Sequence, residues 1–150
     1  MTIPPFDENG NLPPGVHWTT WEEFKEQFGT TFQRKLMLDG LAEAMTHLKA
    51  AGCRAIYING SFVTNKIEPN DFDACWDIEE DIDFNYLRTN APALLRFFDR
   101  AGLKSKYKGE IYPSQQPVGN YGIMSLDFFQ RDRDQNRKGI IAIDLIRWEP

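Results

Sequence analysis

Apolar residues recur at helical spacing between positions 20 and 52 of this chain. Trp21, Phe24 and Phe28 share one face of a predicted short helix, which ends at Gly29. A second, longer helix is predicted over residues 31–51. Its apolar stripe is expected to pack in the core and consists of Phe32, Leu36, Leu41, Met45 and Leu48.

Two apolar runs with strand character flank a loop. The first, Ile56-Tyr57-Ile58, is rich in β-favouring side chains and stops at Gly60, a residue suited to tight turns. The second, residues 71–76, alternates polar and apolar positions, so that Asp71 and Asp73 point to the same side. One face of this predicted strand can pack in the core. The other face presents two carboxylates.

The second half of the chain predicts further elements of the same sheet and its covering helices. Residues 91–101 predict a helix packed on the sheet, and residues 139–146 predict a final apolar strand. Residues 103–113 predict a strand with lysines at even positions. This row either prevents unwanted edge pairing or contacts phosphate groups, and it consists of Lys104, Lys106 and Lys108. Together the elements predict an α+β fold with a mixed β-sheet.

Proline, glycine and asparagine are frequent in residues 1–18, which predict an extended N-terminal arm. The arm either covers a sheet edge or follows the surface of the body. The remaining residues, 19–150, have the length of a single domain. Within that domain, residues 113–122 predict a long loop, which is expected to form part of a functional site because long loops in compact domains are often functional.

Composition and charge narrow the classes of function. With 41% hydrophobic and 26% charged residues, the chain has the composition of an ordinary globular protein. Its net charge is −5, and seven of its 22 acids lie between positions 71 and 83, where no base occurs. Such a field attracts metal ions and opposes nucleic acid, so no DNA partner is expected. No membrane span and no signal peptide is predicted, which favours a cytoplasmic location.

The paired carboxylates of Asp71 and Asp73 need a compensating charge, because like charges repel and burial removes hydration. Mg²⁺, or Mn²⁺, supplies such a charge and commonly links one or two carboxylates to substrate phosphates. The turn at Gly60 and Ser61 offers backbone N–H groups and a hydroxyl that suit phosphate oxygens. Lys66, in the loop that follows, is a further candidate for binding a triphosphate. The pattern indicates a site that handles nucleotides.

Gly60-Ser61, a spacer of nine residues and Asp71-Phe72-Asp73 resemble the signature of the nucleotidyltransferase superfamily, in its minimal polymerase-β-like form. The resemblance implies that the glycine–serine turn binds the triphosphate and that the paired acids bind two metal ions. It also implies a third acid from a later strand, and Asp144, the only charge within residues 139–146, matches that requirement. The whole chain is also similar to an uncharacterised bacterial family assigned to this superfamily.

The resemblance implies transfer of a nucleoside monophosphate from a nucleoside triphosphate to a hydroxyl of a protein or tRNA acceptor. Such reactions occur in toxin–antitoxin and phage-defence settings. The implied site comprises the catalytic, metal-binding acids Asp71, Asp73 and Asp144 and the nucleotide-binding residues Gly60, Ser61 and Lys66. Two alternatives stay open. One is an inactive nucleotidyltransferase-fold binding module, such as an antitoxin or regulator, which the lack of an arginine shortly after Ser61 favours. The other is a phosphodiester hydrolase that uses the same acids.

Overall fold

The computed structural model describes residues 3–78, 81–114, 117–118, 123–124, 130 and 137–150. These residues form a five-stranded sheet, a separate two-stranded sheet and four α-helices. The strands are β1 (Gly15–Thr19), β2 (Ala55–Asn59), β3 (Phe72–Trp76), β4 (Gly109–Pro113), β5 (Pro117–Val118), β6 (Ile123–Met124) and β7 (Gly139–Asp144). The α-helices are α1 (Trp21–Phe28), α2 (Phe32–Ala50), α3 (Phe84–Asn90) and α4 (Arg100–Tyr107), and short 3-10 turns occupy Ser61–Val63 and Pro92–Leu95.

The large sheet has the strand order β1-β7-β2-β3-β4 and combines parallel with antiparallel pairs. β1 runs parallel to β7 and β3 runs parallel to β4, whereas β2 runs antiparallel to both of its neighbours. The predicted mixed sheet with packed helices is therefore confirmed. Within the described ranges, no helix is long and apolar enough to cross a membrane.

The main core lies between the helices and one face of the sheet, here called the first face. Helix residues such as Phe24, Leu41 and Met45 are fully buried there against the strands. The opposite, second face carries a smaller apolar cluster of Ala55, Tyr57, Cys75, Ile140 and Ala142. Because side chains alternate along a strand, Asp73 belongs to the same face as Cys75. The acids therefore project away from the main core.

The predicted stripe of α2 is only half correct. Leu41, Met45 and Leu48 are buried as expected, but Phe32 is 78% exposed and Leu36 is 44% exposed. At 100° per residue, positions five and nine residues before Leu41 lie roughly 140° and 180° away from it around the helix. The helix therefore turns these two side chains to solvent. The inward positions of its first turns are Arg34, Met37 and Leu38.

Residues 100–107 form α4, so the predicted strand over residues 103–113 is wrong in its first half. The carboxylate of Asp99 accepts a hydrogen bond of 3.0 Å from the backbone N–H of Gly102, which places that glycine inside the helix. The predicted helix over 91–101 is replaced by a 3-10 turn and the beginning of α4. On a helix, Lys104 and Lys106 point in different directions, towards Asp71 and Glu43 respectively. The predicted lysine row does not exist.

The N-terminal segment is closely joined to the body. Ile3 and Leu12 are buried, and the backbone N–H of Gly10 donates to the carbonyl of Asp7 in a tight turn. Part of the predicted arm is a strand, because β1 adds to the edge of β7. Covering an exposed edge removes a site of unwanted strand pairing. Of the loop predicted over 113–122, only residues 113–114 and 117–118 lie within the described part of the chain.

Candidate functional site

Two acids meet where β2 ends and β3 and β4 begin. Asp73 is in register with Asn59 of β2 on one side and with Glu110 of β4 on the other. Neighbouring strands lie about 4.8 Å apart, so the side chains of an in-register pair on the same face are in contact. The carboxyl groups of Asp73 and Glu110 therefore lie side by side on the second face of the sheet.

The surroundings of the two acids shift their pKa values in opposite directions. Burial, the charge of Asp71 and the charge of Glu110 raise the pKa of Asp73 to about 7. Burial also acts on Glu110, but hydrogen bonds from Arg100 and Tyr112 outweigh it and lower the pKa of Glu110. The ionised form is therefore disfavoured at Asp73 and favoured at Glu110. This arrangement leaves a carboxyl group that ionises readily once another positive charge is nearby.

The glycine turn lies directly against this acid pair. Gly60 has φ +82°, a conformation that side chains other than glycine rarely adopt. A Cβ added to Gly60 would lie 2.7 Å from Oδ2 of Asp73, so the missing side chain lets the backbone approach the carboxyl group. Ser61 then starts a 3-10 turn and is partly exposed. The structure thus brings together three of the predicted site residues, Gly60, Ser61 and Asp73.

Arg34, which sequence reasoning missed, holds the loop that follows this turn. Its guanidinium group is buried and donates hydrogen bonds to the carbonyl oxygens of Phe28, Phe62, Thr64 and Lys66. Burial lowers its pKa, partly offset by the charge of Glu68. The sequence could have indicated this role. Arg34 lies seven residues before Leu41, so it falls on the core-facing side of the predicted helix, where an arginine needs buried partners.

Two cations of α4 reach the acids from the side. Lys104 Nζ lies 3.0 Å from Oδ2 of Asp71, and the Arg100 guanidinium is paired with Glu110. Helix α4 can approach α2 closely because a Cβ on Gly40 would lie only 2.0 Å from the carbonyl oxygen of Tyr107. A groove of about 300 Å³ runs beside this ion pair, lined by Gln33, Leu36, Met37, Asn70, Asp71, Lys104 and Lys108.

Asp144 does not join this site, and the expectation that it shares a metal with Asp71 and Asp73 is wrong. It ends β7 and is in register with Ala55, whereas Asp73 is in register with Asn59, four residues further along β2. At about 3.3 Å per residue the two acids are separated by roughly 13 Å along the strands, with β2 lying between them. Asp144 lies on the second face, as Asp73 does, but at the other end of the sheet.

Glu110 occupies the position that Asp144 was predicted to take. The sequence pattern did not identify Glu110, because residues 103–113 predicted one strand whose regular feature was its lysines. Lys66, the other predicted phosphate ligand, lies exposed in the loop held by Arg34.

The residues at this site have the donor chemistry of a magnesium site. Carboxylate and amide oxygens are the ligands that Mg²⁺ prefers. Asp71, Asp73 and Glu110 offer carboxylates, and Oδ1 of Asn59 is buried without a hydrogen-bond partner among the described residues. No group of three metal-binding side chains is already assembled within the described part of the chain. A bound cation would therefore need Asp71 to leave Lys104.

Comparison with known proteins identifies the family. A family described as a family of unknown function (DUF6932) matches residues 4–144. No curated protein and no solved structure matches the chain. Because the match extends over nearly the whole sequence, the chain belongs to the DUF6932 family of unknown function.

Proposed function

We propose that this protein is a divalent-metal-dependent nucleotidyltransferase whose metal ligands are Asp71, Asp73 and Glu110. The observation that carries the proposal is the in-register pair of Asp73 and Glu110 on neighbouring strands, directly beside the Gly60 turn. This layout supports the resemblance of the glycine–serine turn and paired acids to the nucleotidyltransferase superfamily. Glu110 supplies the third acid, in place of Asp144.

Different residues of the chain bind the metal and the phosphate groups. A bound Mg²⁺ neutralises triphosphate charge and lowers the pKa of the acceptor hydroxyl. With the metal bound, Asp73 would lose its proton to solvent, and the carboxylates of Asp73 and Glu110 would hold the ion. The turn at Gly60 and Ser61 offers N–H groups and a hydroxyl to phosphate oxygens. Lys104 and Arg100 now pair with these acids and would offer their positive charge to phosphate once the acids bind the metal.

The acceptor is a hydroxyl of a protein or of a tRNA, and a toxin–antitoxin or phage-defence role agrees with such an acceptor. Seven acids between positions 71 and 83 repel RNA, which favours a protein acceptor. The cation requirement is for Mg²⁺ or Mn²⁺, since the donor set consists of oxygen atoms.

The test is incubation of the purified protein with α-labelled nucleoside triphosphates, Mg²⁺ or Mn²⁺, and cell lysate. Label should appear on a macromolecule, and Asp73→Asn or Glu110→Gln should reduce it at least about 100-fold, because replacement of a metal ligand removes charge at the reacting phosphate. Asp81→Asn, a change at an exposed acid, is the matched control. Label released only as free nucleotide would indicate hydrolysis instead. Full activity in both site variants would contradict the proposal.

One observation favours the inactive binding module as a second candidate. Asp71 and Glu110 already have cationic partners on α4, so the site is neutralised without a metal. A thermal-shift titration with each triphosphate separates the candidates. A rise in melting temperature that requires Mg²⁺ supports the enzyme, whereas no rise with any triphosphate supports the binding module.

A further inference from the structure

A second cavity lies at the opposite end of the sheet from the acid pair. It has a volume of about 530 Å³ and opens just beyond the ends of the parallel strands β1 and β7. This volume is within the range of small-molecule pockets, which often lie beyond the carboxyl ends of strands. The residues that carry the argument are Trp18, Trp21, Asp144, Arg147 and Trp148.

Aromatic rings form the walls of this tryptophan pocket. Three of the four tryptophans of the chain line it. Trp21 and Trp148 are buried and meet edge to face, with ring centroids 6.2 Å apart. Trp18 is held edge to face against Tyr57 and stays 40% exposed. Tryptophan faces attract cations more strongly than other aromatic rings do.

The charges around the pocket also favour a cation. Its lining includes three acids, Glu22, Asp144 and Glu149, against one base, Arg147. That base is a weak competitor, since its side chain is 88% exposed and its Nε lies 3.7 Å from Oδ2 of Asp144. Trp21 already attracts one ammonium group, because Nζ of Lys25 lies 5.9 Å from the centre of its ring.

Rings and acids together define the ligand that the pocket fits. A small molecule that combines a positive charge with apolar carbon would contact the tryptophan rings and the acidic side chains at once.

We propose that the tryptophan pocket binds a small organic cation, with an ammonium group carried on apolar carbon and held between tryptophan rings and the Asp144 carboxylate. This site uses the one charge in the apolar β7 run, that of Asp144, whose Oδ1 also accepts a hydrogen bond of 2.9 Å from the backbone N–H of Ile146. The proposal is independent of nucleotidyl transfer.

Choline is a suitable probe, and its uncharged isostere 3,3-dimethyl-1-butanol is the matched control. Intrinsic tryptophan fluorescence of the full chain should change saturably with choline at constant ionic strength. The isostere should bind roughly tenfold more weakly or not at all, because it lacks the charge that the rings and Asp144 attract. Equal binding of the two compounds, or no saturable change up to millimolar choline, would overturn the proposal.

Three variants test the residues that were named. Asp144→Asn and Trp18→Leu should each weaken choline binding roughly tenfold, whereas Arg147→Ala should strengthen it by up to about fivefold by freeing Asp144. The gain in Arg147→Ala keeps the test decisive if Trp18→Leu fails to fold. Asp81→Asn should bind like the parent chain. Unchanged affinity in both Asp144→Asn and Arg147→Ala would overturn the role of the carboxylate.

Discussion

Single residues set the chemistry at the acid end of the sheet. Gly60 is the clearest case, because its φ of +82° and its closeness to Asp73 exclude a side chain for two separate reasons. The backbone conformation costs energy in any other residue. The short distance means that an added methyl group would push the carboxyl group away from Glu110.

The two reasons can be separated by substitution. Gly60→Ala should lower the free energy of unfolding by about 2 kcal/mol or more. Gly15→Ala is the matched control, since Gly15 also has a positive φ but a Cβ there would approach nothing closer than 3.9 Å. Chemical denaturation should show the larger loss for Gly60→Ala. Equal losses would mean that contact with Asp73 contributes nothing.

At the level of elements, α2 organises the loop that carries the glycine–serine turn. Arg34 is the link, because it projects from the buried side of α2 and binds the carbonyl oxygen of Phe62 within the 3-10 turn at Ser61–Val63 and that of Thr64 just after it. Its ring contact with Phe62, at 4.8 Å from the centroid, fixes the same turn from a second direction. The position of Ser61 therefore depends on a residue that is far from it in sequence.

Arg34→Lys tests this dependence, because lysine keeps the charge but cannot reach four carbonyl groups with one ammonium. The free energy of unfolding should fall by about 3 kcal/mol, since several buried carbonyls lose their donors. Amide exchange over residues 61–66 should become faster. Lys35→Met, a change at the exposed neighbour, is the control and should alter neither measurement. Unchanged exchange in Arg34→Lys would show that the loop holds its shape alone.

In the whole molecule, the sheet separates two groups of acids. Asp73 and Glu110 lie at the end where β2 stops, and Asp144 lies at the end where β7 stops, on the same face. A distance of roughly 13 Å along the strands exceeds the Debye length of about 8 Å at physiological ionic strength, so the two ends interact weakly.

This separation predicts that a substitution at one end of the sheet leaves the activity at the other end unchanged. Glu110→Gln should abolish metal-dependent transfer and leave choline affinity unchanged. Asp144→Asn should weaken choline binding and retain transfer within about twofold, because additivity holds for distant sites. Parallel assays on the same two preparations check both expectations. Loss of transfer in Asp144→Asn would restore that acid to the metal site and contradict the register argument.

Local signals in the sequence were sufficient for several parts of the fold. The extents of α1 and α2 follow from apolar spacing, with Gly29 after α1, and the strand β3 with Asp73 follows from alternation. These features depend on neighbours along the chain. The prediction was wrong where one local pattern was compatible with either a strand or a helix, as it was for the lysines of α4.

The sequence by itself determined which residues of β2 and β3 could form a phosphate and metal site, because a glycine turn and alternating acids have only a few physical uses. Only the tertiary structure decided that Glu110, not Asp144, lies beside Asp73 and that Arg34 holds the loop after Ser61. Strand order and register arise from packing between segments distant in sequence, and a shift of four residues along β2 leaves every local pattern unchanged.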